Sequence, residues 1–265
     1  MSALGTMLSN VQRENRAALI AYIPAGFPSK SGCLKMIDAL VSGGVDAIEI
    51  GFPYSDPVMD GPTIQEASVR SLAAGTSARD VLDALSYAAE RVPSVVMSYW
   101  NPIERYGVDR FASELARRKG SGVITPDLTI EESAPWKKAV AENEIDSIYV
   151  VAPSTTDERL KAVSSACSGF VYAASLMGVT GARTDISTSA GSLVARLRSV
   201  TQTPICVGLG VSTREQARDV ASFADGVIVG SAFVKEILSS SDEDEAATRV
   251  QALAQELSKG VREGR

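Results

Sequence analysis

The chain has 265 residues and a mass of 27.9 kDa, longer than a common domain of roughly 100 to 200 residues but suited to one α/β barrel. Its 45% hydrophobic and 22% charged residues exclude a predominantly disordered protein. With 32 acidic and 26 basic residues the net charge is -6, so no positive field favours nucleic acid, and we expect none to bind.

Apolar, β-rich runs alternate along the chain with stretches whose apolar residues recur at helical spacing. Such strands are typical of a parallel sheet buried on both faces. Eight of them in this length favour a closed (β/α)8 TIM barrel over a doubly wound sheet, with an extra N-terminal helix. No shift in composition marks a boundary, so we expect residues 1–265 to form a single catalytic domain. The predicted strands are 17–25, 46–52, 94–100, 122–126, 147–151, 170–174, 204–207 and 226–229, and the predicted helices are 29–42, 63–74, 78–91, 109–119, 131–142, 157–166, 191–200, 213–221 and 243–261.

The chain contains no histidine. This excludes Ser-His-Asp and Cys-His nucleophiles, imidazole bases and histidine-containing zinc sites, and we expect no metal. Acid–base chemistry must therefore come from carboxylates, Tyr, Lys or Cys.

The cysteines and the N-terminus favour a cytoplasmic protein. Cys33, Cys167 and Cys206 are odd in number and widely spaced among apolar or small residues, as expected of reduced thiols packed in a core. Residues 1–16 lack the apolar stretch of a signal peptide. The uncharged segment 162–182 is interrupted by Ser, Thr and three glycines, which predicts a helix end, a strand and a loop rather than a membrane span.

Two acidic residues follow the pattern expected at the mouth of a barrel, where chemistry lies at the carboxyl ends of the strands. Glu49 lies inside an apolar strand, where burial would raise its pKa toward the range useful for proton transfer; a structural salt bridge is the alternative. Asp60 lies on the following loop and could contact a ligand or cap a helix. Asp56, on the same loop, is a structural or partner-contacting residue.

Three glycine-rich turns follow late strands, at 178–181, 208–212 and 230–231. Glycines let backbone N–H groups approach an anion, and the last two turns precede helices, as in the phosphate site of many barrels. The partial dinucleotide fingerprint at 208–213 comes too late in the chain to indicate NAD. Tyr172 could present its hydroxyl to the same cavity or pack in the core, and Asp127 could do likewise or cap a helix.

In combination, these segments resemble the tryptophan synthase α subunit family over nearly the whole chain. The densest match is Glu-Ile-Gly-Phe-Pro-Tyr-Ser-Asp-Pro-Val-Met-Asp-Gly-Pro at 49–62. The resemblance implies cleavage of indole-3-glycerol phosphate to indole and glyceraldehyde 3-phosphate, with no cofactor in this subunit. It implies that Glu49 transfers protons and that Asp60 accepts the indole N–H and stabilises the cationic indolenine. Other matching segments are 22–28, 99–102, 127–128, 178–181, 208–211 and 230–232.

The resemblance also implies a substrate pocket. Tyr172 would lie near the reacting glycerol, and Thr180 would belong to a mobile loop that closes over the substrate. The phosphate would be held at Gly181, Gly210, Gly230 and Ser231, and the indole by Tyr22, Met97, Ile124 and Leu209.

A partner is implied as well: a pyridoxal-phosphate β subunit that receives indole, in an assembly of two α and two β chains. Pro53, Asp56, Pro57 and Asn101 match positions facing that subunit. Two alternatives stay open. The first is another phosphate-binding barrel enzyme, such as a sugar-phosphate isomerase or indole-glycerol-phosphate synthase. The second is a binding subunit that activates or gates a partner.

Overall fold

The computed structural model describes residues 2–174, 183–208 and 210–265. Its eight parallel strands close into a barrel in chain order, with β1 paired to both β2 and β8. This confirms the predicted (β/α)8 fold and all eight strand positions to within a few residues. The strands are β1 (Ala18–Pro24), β2 (Ala47–Gly51), β3 (Ser94–Met97), β4 (Gly122–Thr125), β5 (Asp146–Val151), β6 (Val171–Ala174), β7 (Ile205–Gly208) and β8 (Gly226–Val229).

Helices surround the barrel, and their starts follow local capping chemistry. The hydroxyl of Ser29 accepts the backbone N–H of Gly32 at the start of α2, and Ser77 with Asp80 forms a capping box at α4. The helices are α1 (Ala3–Arg13), α2 (Lys30–Ser42), α3 (Pro62–Ala73), α4 (Ala78–Ala89), α5 (Trp100–Tyr106), α6 (Val108–Arg117), α7 (Ala134–Glu142), α8 (Asp157–Ala166), α9 (Arg183–Arg198), α10 (Arg214–Ala221), α11 (Ser231–Leu238) and α12 (Glu243–Glu263).

Several predicted boundaries are wrong, and the sequence predicted neither α5 nor α11. The strand predicted to reach residue 100 ends at Met97, because Trp100 begins α5 and donates its backbone N–H to the Asp127 carboxylate at 2.9 Å. The helix predicted to begin at residue 191 begins at Arg183; the preceding Ser/Thr-rich stretch has a weak helical pattern.

Helix α1 packs across the amino-terminal end of the barrel. Leu4, Leu8 and Val11 are at most 3% exposed and join one apolar cluster with inward-facing strand residues such as Ile20 and Ile148. Ser2, the N-cap of α1, also donates its hydroxyl to Asp146 at the start of β5, at 2.5 Å. The predicted N-terminal helix therefore closes this end of the barrel.

The register of the first two strands determines what faces the opposite, carboxyl end. Tyr22 on β1 pairs with Glu49 on β2, and Pro24 pairs with Gly51. Because side chains alternate along a strand, Ala47, Glu49 and Gly51 share one face, and Ala47 belongs to the apolar cluster inside the barrel. Glu49 therefore lies above an apolar floor, near the carboxyl-end mouth.

Candidate active site

Glu49 is a fully buried carboxyl group. Its side chain is 0% exposed, and neither carboxylate oxygen has a hydrogen-bond partner among the described residues. Burial, with a smaller contribution from the charge of Asp60, raises its pKa to about 8. The alternative of a structural salt bridge is therefore wrong within the part of the chain that the structure describes. A carboxyl group that titrates near neutral pH can both give and take a proton.

Asp60 lies on the loop between β2 and α3, and its charge acts on Glu49, Tyr22 and Tyr172 of the barrel strands. The N-cap of α3 is Gly61, which makes no side-chain cap, so the capping alternative for Asp60 is wrong. Partial burial raises the Asp60 pKa to about 6, and a hydrogen bond from Tyr99 opposes that rise. The backbone carbonyl of Asp60 accepts a hydrogen bond from Gln65 at 2.8 Å.

Two tyrosines lie over glycines at the strand ends. A methyl group on Gly51 would overlap the Tyr22 hydroxyl, and one on Gly208 would overlap the Tyr172 hydroxyl. Burial and the negative charges of Glu49 and Asp60 raise the pKa of both tyrosines. The structure therefore brings both rings to the same end of the barrel as the two carboxyl groups.

Gly208→Ala should displace the Tyr172 ring, since the new methyl group would occupy the position of its hydroxyl. We expect kcat/KM to fall roughly 10- to 100-fold, the typical cost of misplacing a group in a site by about 1 Å. Gly191→Ala is the matched control, because no atom lies within 4 Å of its added methyl group. Steady-state kinetics of the two variants check this, and equal rates would contradict it.

The helix N-terminus after β8 is suited to bind an anion. Gly230 is the N-cap of α11 and provides no side-chain cap, and the first turn, which includes Ser231, contains no acidic residue. Its free N–H groups and the helix dipole favour a negative charge. At α10, by contrast, the Thr213 hydroxyl accepts the backbone N–H of Gln216. Of the two helices expected to bind phosphate, α11 has the open N-terminus.

The remaining pocket residues are only partly described. Ile124 is buried inside the barrel and Met97 packs against the same cluster. Gly210 follows β7 with a φ of 66°, a left-handed conformation that suits glycine. Thr180, Gly181 and Leu209 lie outside the described residues.

The residues expected to face a partner lie near the mouth, with different exposures. Asp56 and Asn101 are exposed, Pro57 is half-buried and Pro53 is buried. Asp127 caps α5 through the backbone N–H of Trp100, as its alternative interpretation predicts.

Among residues 2–174, 183–208 and 210–265, no three acidic or cysteine side chains are grouped closely enough to hold a metal ion. No helix in that same part of the chain is long and apolar enough to span a bilayer. Cys33, Cys167 and Cys206 are free thiols, and burial raises the pKa of each.

Tyr99 also contacts the Asp60 loop, although the sequence predicted no role for it. Its hydroxyl accepts the backbone N–H of Met59 at 3.0 Å, and its ring lies 5.3 Å from that of Tyr54. Residue 99 was predicted to lie in a strand, and no sequence pattern links it to a loop 40 residues earlier.

Together, a desolvated carboxyl group, a second carboxyl group on the adjacent loop and an open helix N-terminus define a barrel enzyme that moves protons on an anionic substrate. Comparison with known proteins specifies the class further. The sequence profile described as tryptophan synthase alpha chain matches residues 8–262. The tryptophan synthase alpha chain of Thermobifida fusca is 53% identical, covering 99% of this chain and 98% of its own length, and that of Streptomyces coelicolor is 51% identical, covering 98% and 96%.

Solved structures agree. Mycobacterium tuberculosis tryptophan synthase includes a chain that is 48% identical with a TM-score of 0.91, covering 98% of both chains. The tryptophan synthase subunit alpha of Legionella pneumophila is 30% identical with a TM-score of 0.90, again over 98% of both. This chain belongs to the tryptophan synthase alpha chain family. It is accordingly a lyase, and membership implies a beta-chain partner.

Proposed function

We propose that the chain cleaves indole-3-glycerol phosphate to indole and glyceraldehyde 3-phosphate, with Glu49 and Asp60 as its catalytic residues. The observation that carries this proposal is Glu49, a buried carboxyl group without a hydrogen-bond partner among the described residues. An unpaired buried carboxyl group is costly to a fold, and such groups concentrate at catalytic sites.

The reaction transfers one proton from the glycerol hydroxyl next to the ring to C3 of the indole, and one carboxyl group can perform both halves. Protonated Glu49 gives its proton to C3, which forms the cationic indolenine. As the carbon–carbon bond breaks, the Glu49 carboxylate takes the hydroxyl proton, the carbonyl of the aldehyde forms, and the bond electrons neutralise the indolenine. Glu49 ends in its starting state. Its pKa of about 8 keeps it largely protonated at pH 7, as the first half requires.

Asp60 is assigned to the indole nitrogen. With a pKa of about 6 it is mostly ionised at pH 7, while Glu49 is mostly protonated. A carboxylate that accepts the indole N–H stabilises the positive charge as it develops on the ring. Different environments thus give two carboxyl groups different roles.

The rest of the pocket follows the same assignment. The phosphate is assigned to Gly181, Gly210, Gly230 and Ser231, the last two of which lie at the open N-terminus of α11. Tyr172 contacts the glycerol, Tyr22, Met97, Ile124 and Leu209 line the indole pocket, and Thr180 belongs to the closing loop. Residues 1–265 act as one catalytic domain in the cytoplasm.

The beta chain is proposed to receive indole in an assembly of two alpha and two beta chains, with pyridoxal phosphate bound to beta. Asp56, Pro57 and Asn101 would contact it directly. Pro53 is buried, so it would act by shaping the loop.

Indole release from indole-3-glycerol phosphate, by the purified chain alone and with a cognate beta chain, tests the function. We expect slow release that rises on addition of beta. No release in either condition, with binding of beta demonstrated, would instead support a binding subunit.

A further inference from the structure

The loop that carries Asp60 runs from Phe52 to Gly61 and makes few hydrogen bonds to the barrel. Its start is tied to β3 by the Phe52 N–H, which donates to the Met97 carbonyl at 2.8 Å. Further along, the Met59 N–H donates to the Tyr99 hydroxyl at 3.0 Å. Tyr99 therefore contacts the loop immediately before Asp60.

Tyr99 itself is held rigidly by the barrel. It is 5% exposed, and it precedes α5, where the Trp100 N–H donates to Asp127 at 2.9 Å. The preceding residue is also fixed, since the Ser98 N–H donates to the Ile124 carbonyl at 3.0 Å and the Ser98 hydroxyl donates to the Tyr99 carbonyl at 2.8 Å. A buried ring with a hydrogen-bonded backbone on either side thus contacts the Asp60 loop.

We infer that Tyr99 is the positioning residue for Asp60: its hydroxyl accepts the Met59 N–H and donates its own proton to the Asp60 carboxylate, fixing that group toward the barrel mouth. A hydroxyl has one proton and two lone pairs, so both hydrogen bonds can exist together. The inference rests on the proposed function for its catalytic consequence, whereas the hydrogen bond from the Met59 N–H to the Tyr99 hydroxyl, at 3.0 Å, is independent of the reaction.

The electrostatics agree with this geometry. The hydrogen bond from Tyr99 lowers the Asp60 pKa against the larger effect of burial, leaving it at about 6. Besides Tyr99, the titratable groups on the packed strands that interact with Asp60 are Glu49, Tyr22 and Tyr172. All three are neutral or negative, so none of them replaces the hydrogen bond from Tyr99 in stabilising the carboxylate.

Tyr99→Phe tests the inference, because it keeps the buried ring and removes only the hydroxyl. In the parent we expect the acidic limb of the plot of kcat/KM against pH to lie near the Asp60 pKa of about 6. In Tyr99→Phe this limb should move to higher pH, because Asp60 loses a hydrogen bond that favours its ionised form. At pH 7 we expect kcat/KM to fall roughly 10- to 100-fold, as for loss of a hydrogen bond to a charged group. Tyr54→Phe is the matched control, since Tyr54 stacks on Tyr99 at 5.3 Å and should leave the pH profile unchanged.

A second measurement does not depend on turnover. Carboxyl ¹³C NMR of aspartate-labelled protein, with the Asp60 signal assigned by its loss in Asp60→Asn, should show a higher Asp60 pKa in Tyr99→Phe. An unchanged Asp60 pKa, or reduced activity with an unchanged pH profile, would overturn the inference. If the parent forms no indole but the pKa rises, the proposed function fails while the positioning role stands.

Discussion

Glu49→Gln should reduce indole formation to background, a loss on the order of 10³-fold or more, because an amide cannot exchange the proton that the reaction moves. The substitution keeps the volume of the side chain, so the packing around this fully buried site should be preserved and the barrel should be retained. Indole release by the purified variant, with circular dichroism and beta-chain binding as checks on folding, measures the effect. Glu66→Gln, an exposed substitution on α3, is the control for the same chemical change. Turnover within a few-fold of the parent would refute the assigned role.

The same substitution should change how stability depends on pH. Glu49 has a pKa near its ordinary 4.5 in the unfolded chain and about 8 in the folded protein. Between these values the folded state binds more protons, so the free energy of unfolding falls as pH rises, and the contribution is lost above pH 8. Glu49→Gln removes this pH dependence. The free energy of unfolding of the variant minus that of the parent should therefore increase by a few kcal/mol between pH 5 and pH 8.5, since each pKa unit corresponds to about 1.4 kcal/mol. Urea unfolding of both proteins at the two pH values measures this, and parallel pH dependences would contradict the buried ionisation.

Asp60→Asn should cost roughly 2 to 4 kcal/mol of transition-state stabilisation, a loss of roughly 30- to 1000-fold in kcat/KM. The amide can still accept the indole N–H, but it no longer places a negative charge beside the developing indolenine cation. The loss should appear mainly in kcat, since that charge develops only during the reaction. Single-turnover and steady-state kinetics separate this effect from weaker substrate binding. An unchanged rate would remove Asp60 from the mechanism.

The sequence could predict features that depend on local pattern. Alternation within the run 46–52 places Glu49 on one face with Ala47 and Gly51, and the barrel interior is where that face lies. The order of strands and helices similarly determines a closed parallel barrel. The resemblance to a family implied the roles of the two carboxyl groups. Spacing alone left Glu49 open between catalysis and a salt bridge, and Asp60 open between a ligand contact and helix capping.

What could not be predicted depends on contacts between distant segments. Tyr99 and Trp100 are typical strand residues, and their helix start is determined by Asp127, which lies 27 residues later. The hydrogen bond from Met59 to Tyr99 spans 40 residues, so neither segment carries a signal for it. The pKa values of Glu49 and Asp60 likewise depend on burial by the whole barrel, which no single motif encodes.

The position of α1 has a consequence for traffic through the enzyme. Among the described residues, Leu4, Leu8 and Val11 fill the amino-terminal end of the barrel with buried apolar side chains, which closes its floor. We therefore expect substrate to enter and products to leave at the opposite end, where Glu49 and Asp60 lie. A protein bound over that end of the barrel would receive the indole directly as it leaves the site.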